Sequence, residues 1–549
     1  MVKWRERNIN AYPGRKGMLR FSTNYMVPLF DLAEDSISAT YYEQLERDNQ
    51  GVFQAKVVGR FYTPSNVGAL LAEDLLRDTE NLEGSLSVID PFCGDGSLLV
   101  AFLTEIERRV NDNLLGLKLH VKGFDIDQDA IEVARNKIAK FADASKNLII
   151  TTDIKACDSF MLQQDDLAAD FCITNPPWLL LKAAGRLGSQ GKREYVDLLN
   201  RRFPIATSKS SFGSKTANLA RIGSLQSLNA VLPSGKSAIL LPSSLMSDLE
   251  SSDFRAYLWS NFQVQSVSFF DAKLKVFAGV DQDFVALVAS ANPDMSSADV
   301  ELRHFSSVDT FEKINISRCD LNEVLGENFE LADFKSKLGF SVFRSLKRFP
   351  KLDCHKGIRI FREVDETRIA ERFDEKSNWL FIKGRNIDRY SRVTDELPRI
   401  PHPNGRSDPS TAKPKIVWRD VARRSQSRRI KATIIGPGIL AGNSLGCIET
   451  CSDDSLYFYL GIMNSWLTEL QVRALSHTNH ISTGVVKRLF VPEWDASNQI
   501  HVDLSTAVAS KMYDSKSIDQ LDIEALVIKA FGLEHVKLND LERLVLGQI

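Results

Sequence analysis

Asp90-Pro91-Phe92-Cys93-Gly94-Asp95-Gly96-Ser97 (DPFCGDGS) directly follows the apolar run SLSVI and precedes the helical pattern LLVAFLTEIERRV. This is a strand–turn–helix junction. Its glycines let backbone approach a ligand closely, and the helix N-terminus that follows is rich in N–H donors. It is not the dinucleotide-binding pattern G-x-G-x-x-G: the third glycine is missing, and the opening acid would repel a pyrophosphate. An acid at that place suits a cationic or amine-bearing ligand.

Outward from this junction, residues from about 60 to 292 alternate short apolar runs with longer helical patterns. SLSVID, HVKGFDID, DFCITN, SAILLPS, VQSVSFFD and DFVALVAS read as strands; NVGALLAEDLLRDTE, GSLLVAFLTEIERRV and DQDAIEVARNKIAKFA read as helices. Such alternation predicts an α/β fold with a mostly parallel sheet covered on both faces. The second strand ends in Gly123-Phe124-Asp125-Ile126-Asp127. An acid there is placed to accept hydrogen bonds from two ribose hydroxyls, and Ile126 can press on an adenine face. Thr174-Asn175-Pro176-Pro177-Trp178 (TNPPW) closes a later apolar run, ADFCI. A turn needs one proline and a core needs no asparagine, so an amide, two rigid prolines and an indole together point to a flat, amino-bearing ring.

The 549 residues are too many for one ordinary domain, and 43% hydrophobic with 26% charged residues is average for globular proteins. No apolar run approaches the roughly 20 residues that cross a bilayer, and the polar N-terminus lacks a signal peptide's apolar segment. Seven scattered cysteines, never in C-x-x-C spacing, argue for a reducing cytoplasm and against structural zinc. His477 and His480 have no cysteine or acid cluster beside them, so no metal site is expected. The net charge of −2 hides a local excess: residues 376–431 hold fifteen Lys/Arg against five Asp/Glu, a charge of +10. Trp379, Phe381, Tyr390 and Trp418 are interleaved there, which reads as a second domain with a basic surface.

DPFCGDGS, FDID and NPPW in this order resemble the S-adenosylmethionine-dependent DNA adenine-N6 methyltransferases. The resemblance implies a Rossmann-like methyltransferase fold followed by a C-terminal α+β recognition domain. It places Asp90, Phe92, Gly94 and Gly96 at the methionine end of the cofactor, Asp125 on the ribose and Ile126 on the adenine. Asp158 (or Asp153, which has the poorer spacing to Asn175) would take the adenine amino group. Phe61-Tyr62-Thr63-Pro64 resembles the family's Phe-x-Thr-Pro element, so Phe61, Thr63 and Pro64 would close over the methionine moiety. That element standing before the glycine-rich loop is the gamma arrangement. Asn175, Pro176, Pro177 and Trp178 would face the target base, and Phe277, in a segment similar to the family's second aromatic wall, would lie opposite.

The implied domains are an N-terminal extension (1–50) without a recognised counterpart, a catalytic domain (51–330) and a target-recognition domain (331–549). FIKGRNIDRY, KPKIVWRDVARR and YLGIMNSWLTELQVRALS resemble recognition-domain stretches. Lys383, Arg385, Arg389, Arg419, Arg423, Arg424, Arg428 and Arg429 are the candidate contacts to double-stranded DNA. The implied setting is a cytoplasmic restriction–modification or phage-defence system with a separate endonuclease or defence subunits. Two rivals share part of the pattern: an RNA or protein amide methyltransferase, and a DNA-recognition subunit with a vestigial site.

Overall fold

The computed structural model describes residues 37–38, 41–42, 62–79, 82, 84–110, 116–183, 190–207, 216–277, 282–291, 299–365, 379–393, 396–400, 413–423, 426–476, 479–514 and 518–547. Its largest element is a nine-stranded sheet. The first four strands are β1 (Ser85–Asp90), β2 (Leu117–Asp125), β3 (Leu148–Ala156) and β4 (Ala169–Thr174). A short antiparallel pair, β5 (Leu180–Lys182) and β6 (Thr216–Asn218), stands outside the sheet. The sheet continues with β7 (Val231–Pro242), β8 (Gln263–Phe270), β9 (Phe284–Ser290), β10 (Val300–Phe305) and β11 (Phe311–Ile316). The spatial order is β11-β10-β8-β9-β7-β4-β1-β2-β3. Strands β3, β2, β1, β4 and β7 run parallel, β9 is inserted antiparallel between β7 and β8, and β11 is antiparallel at one edge.

Burial explains why these segments are strands. All seven residues of β9 are buried, as are the last six of β7, because helices cover both sheet faces and both side-chain directions must be apolar. β3 is an edge strand and mostly exposed, with only Leu148 and Ile154 buried. The covering helices include α1 (Ser65–Leu75), α2 (Ser97–Arg109), α3 (Gln128–Ala144), α4 (Gln190–Arg202) and α5 (Leu219–Asn229). α3 starts where the Asp127 carboxylate accepts from the Asp129 and Ala130 amides. α2 starts at Gly96, whose φ of 77° places it in the left-handed region.

The C-terminal half is α+β. A four-stranded sheet, β12-β18-β15-β16, and a three-stranded sheet, β14-β13-β17, comprise β12 (Arg359–Phe361), β13 (Trp379–Ile382), β14 (Arg399–Ile400), β15 (Lys415–Arg419), β16 (Ala432–Ile435), β17 (Ile439–Ala441) and β18 (Leu445–Glu449). Helices α6 (Asp453–Met463), α7 (Trp466–Leu475), α8 (Gln499–Tyr513), α9 (Gln520–Ala530) and α10 (Leu538–Leu546) pack around them. Arg488 joins the halves, donating to Glu330 at 2.7 Å and to the Ser247 carbonyl at 3.0 Å.

The aromatics interleaved with the basic residues turn inward, Trp379 only half-buried. Phe381, Tyr390 and Trp418 are buried. Trp418 fills the centre of the β15–β18 pair, its indole N–H donating to the Ile481 carbonyl at 2.8 Å. Any Cβ at Gly446 would stand 2.0 Å from its ring. These rings supply the apolar area that a small mixed sheet needs.

Candidate active site

The sheet order reverses between β1 and β4, and at such a switch point the loops after the strands diverge and leave a crevice. Four strand ends meet there. Asp90 ends β1, Asp125 ends β2, Asp158 stands two residues past β3, and Asn175 follows β4. All four line one cavity, together with Thr63, Phe92, Gly94, Ile126 and Pro177. Of the other residues singled out, Gly96 lies beneath, its Cα direction blocked at 3.0 Å by Ala134 of α3. Pro64 supplies the N-cap of α1. Phe61 lies outside the described residues.

Asp90 is buried, with 1% of its surface exposed. One oxygen accepts from the Thr174 hydroxyl at 2.6 Å and the Phe92 amide at 3.0 Å. The other is buried with no hydrogen-bond partner among the described residues. Burial pushes the carboxyl up to about 7, against the donors that pull it down. Asp125 ties the site together: it accepts from the Gly94 amide at 2.9 Å and from the Asp127 amide at 2.9 Å. The glycine loop is thereby held against the end of β2, in a backbone with φ of 51° at Gly94. Asp158 accepts from the Phe160 amide at 3.0 Å and from two hydroxyls, those of Ser38 and Tyr195. Burial raises its carboxyl above the usual range. Asp153 instead pairs with Lys155 on the outer strand.

The Asn-Pro-Pro-Trp loop is pinned from two sides. The Asn175 amide nitrogen donates to the Thr63 hydroxyl at 3.3 Å, which links the loop after β4 to the segment before α1. Beneath the loop, α5 approaches through Gly223. A Cβ there would come within 2.7 Å of Pro176 and 3.1 Å of the Phe92 ring. Trp178 packs edge-on against Phe277, ring centroids 5.5 Å apart at 66°, and both touch Phe284. Phe277 is thus a packing partner of Trp178, and in this arrangement no base fits between the two rings. Thr174, Gly223, Tyr41, Tyr42 and Tyr195 escaped the sequence reading. An interior glycine in a helical pattern was the one available signal.

The eight candidate DNA contacts divide. Arg385 and Arg423 are exposed, and Lys383 and Arg419 are half-buried. Arg424 lies outside the described residues. Arg389 turns inward, donating to the Asn464 carbonyl at 2.9 Å. Arg428 and Arg429 are corrections. Arg428 lies over the Trp466 ring and donates to Glu524 at 2.8 Å, and burial pulls its guanidinium down to about 10. Arg429 is 1% exposed and donates to the Ser476 carbonyl at 2.8 Å. Both are tethers between the sheet and α7 or α9, their guanidinium groups turned to protein partners rather than to a phosphate.

Comparison with known proteins agrees with this geometry. Residues 33–293 match the N-6 DNA Methylase family. A stretch of 151 residues is 29% identical to the Type II methyltransferase M.VspI of Vibrio sp. (strain 343), and covers 27% of this chain and 29% of that relative. The matched part thus spans less than a third of the curated relative. Among solved structures, the Type IIL restriction-modification enzyme MmeI in complex with DNA aligns with a TM-score of 0.56 at 10% identity, over 94% of this chain and 81% of that one. At that identity the likeness establishes a shared fold, and it extends through both halves. The matched family begins at residue 33, inside the expected N-terminal extension. Among the described residues, no helix is long and apolar enough to cross a membrane.

Proposed function

We propose that this protein is a site-specific DNA adenine-N6 methyltransferase of the gamma arrangement, using S-adenosylmethionine and serving a cytoplasmic restriction–modification or defence system. The observation that carries the reading is the meeting of Asp90, Asp125, Asp158 and Asn175 at one switch-point cavity. The residues fit the cofactor: a buried, unpartnered carboxylate oxygen of Asp90 at the cavity would suit a cationic, amine-bearing ligand, and the glycine loop lines the same cavity. Bound there, the cofactor supplies a methyl on a sulfonium. Asp90, Phe92 and Gly94 would hold its methionine end, Asp125 its ribose and Ile126 and Asp158 its adenine, with Thr63 and Pro64 closing the methionine side.

The chain's own work is positioning. An exocyclic adenine amine is a weak nucleophile because its lone pair is delocalised into the ring. The Asn175 side-chain oxygen and the Pro176 carbonyl accept from that amine and leave its lone pair aimed at the methyl. Thr63 orients the amide by taking its N–H. Pro176 and Pro177 present no competing N–H. Trp178 offers a face to the base, which leaves the duplex at a cost of a few kcal/mol. For that face to open, Phe277 must part from Trp178. The C-terminal half, residues 331–549, would grip double-stranded DNA through exposed cations such as Arg385 and Arg423, with Lys383 and Arg419 behind them.

The test is methyl transfer from tritiated S-adenosylmethionine to duplex DNA, followed by sequencing that reads modified adenines. N6-methyladenine in a defined sequence context is the expected product. Label in RNA or protein in preference to DNA would overturn the substrate assignment, and cofactor binding without transfer to any DNA would favour a recognition subunit.

A further inference from the structure

Ser38, Tyr41 and Tyr42 lie outside the motifs read from the sequence, yet they bear on the cavity. Tyr41 and Tyr42 line it beside Ile126, Cys157 and Asp158. Tyr41 is 5% exposed and stacks flat on Tyr195 of α4, ring centroids 4.6 Å apart at 9°. The Tyr42 and Tyr195 hydroxyls meet at 3.1 Å. Ser38 donates to Asp158 Oδ2 at 2.5 Å, and Tyr195 donates to the same oxygen at 2.9 Å. The fully buried Tyr195 therefore ties a segment 120 residues upstream of Asp158 to the strand end that carries it.

A carboxylate oxygen accepts about two strong hydrogen bonds. Oδ2 of Asp158 already has two, from Ser38 and Tyr195. Oδ1 has one, from the Phe160 amide at 3.0 Å. Among the described residues, one acceptor position remains, on Oδ1. The two hydroxyl donors favour the ionised, accepting form, against the burial that raises the carboxyl.

We propose that Ser38, Tyr42 and Tyr195 are positioning residues of the cofactor site, which fix Asp158 so that its one open acceptor reads the 6-amino group of a purine, while Tyr41 walls the nucleoside. The inference rests on the cofactor reading above and deepens it: the site selects an adenosyl ligand over its 6-oxo counterpart, and the segment before the Phe-x-Thr-Pro element is part of the selecting machinery. A 6-oxo purine would set a second acceptor against the carboxylate.

Calorimetry on the full chain with S-adenosylhomocysteine and S-inosylhomocysteine tests this. Wild type should prefer the 6-amino ligand by roughly tenfold or more, the worth of one hydrogen bond to a charged group. Ser38→Ala and Tyr195→Phe should weaken the 6-amino ligand by about tenfold and shrink the preference. Tyr42→Phe should shift it the same way to a smaller degree, and Tyr41→Leu should weaken both ligands alike. The ratio of the two affinities is insensitive to the fraction of protein that folds, so it remains readable in a destabilised variant. Unchanged affinity and preference in Ser38→Ala and Tyr195→Phe would overturn the inference while leaving the cofactor reading intact. A wild type that binds the two ligands equally would do the same. A wild type that binds neither S-adenosylhomocysteine nor S-adenosylmethionine would sink both.

Discussion

Both halves bury charge, and they do so differently. In the catalytic half, Asp90 is buried and Asp158 half-buried at the wall of a cavity, with acceptor capacity left over among the described residues. In the C-terminal half, Lys415 meets Glu363 at 2.5 Å, Arg428 meets Glu524 and Arg429 meets the Ser476 carbonyl. The catalytic half contains a matched pair too: Arg303 and Asp74 meet at 2.7 Å, far from the cavity. Buried charge costs several kcal/mol unless it is met. A matched group is therefore a joint in the fold, whereas the open oxygen of Asp90, set at the cavity wall, is a place for a ligand.

The sharpest break between the two kinds comes from Asn175→Ala. Methyl transfer should fall by about 10²–10³-fold, the loss typical of one preorganised donor or acceptor at a reacting centre, with cofactor and DNA affinity nearly unchanged. Single-turnover kinetics on a DNA duplex measure it. A near wild-type rate would remove the amide from the chemistry. Arg429→Ala should act in the opposite column: about 3 kcal/mol of stability lost through a cavity and an orphaned carbonyl, read by denaturant unfolding, with no change in the salt dependence of DNA binding.

Asp90 gives a pH signature. Its carboxyl is near 3.8 unfolded and about 7 folded, so the native state binds the extra proton between those values. Stability from this group is complete below the lower value and is lost as pH rises through about 7. Melting curves of wild type and Asp90→Asn at pH 5 and pH 8 should differ in slope, by on the order of 2 kcal/mol. Parallel curves would mean that the carboxyl is ionised throughout. The smallest effect is expected from Arg385→Ala with Arg423→Ala. Thermal stability should hold while the slope of log affinity against log salt falls by about two. An unchanged slope would place both side chains away from phosphate.

The parallel core was legible because its strands are uninterrupted apolar runs between helical patterns, and SLSVID (Ser85–Asp90) coincides with β1 residue for residue. β3 was not among the runs read as strands, since an edge strand written LIITTDIKA carries polar residues on its wet face. The site's acids and amide were legible for a related reason: polar groups at the ends of apolar runs conflict with burial and stand out. Thr174 and Tyr195 did not, because a threonine in a strand and a tyrosine in a helix break no local rule. The arginines of the C-terminal half misled because composition counts charges and cannot tell which are paired inside. Arg428 and Arg429 belong to the same sequence cluster as Arg423, and only the packing of Trp466 and Ser476 separates them.

Gly223 bears on the order in which the molecule assembles. Ten of the eleven residues of α5 are buried, so its helicity depends on neighbours rather than on an amphipathic face. A mid-helix glycine weakens it further, by about 1 kcal/mol relative to alanine. Alone, this segment is a poor helix; it becomes one when β4 and β7 are already paired and offer it a surface. The loop bearing Asn175 leans on that helix through Pro176, so it should be among the last parts of the catalytic half to set. A nascent or partly unfolded chain would then hold an assembled sheet well before the Asn-Pro-Pro-Trp loop took its final place.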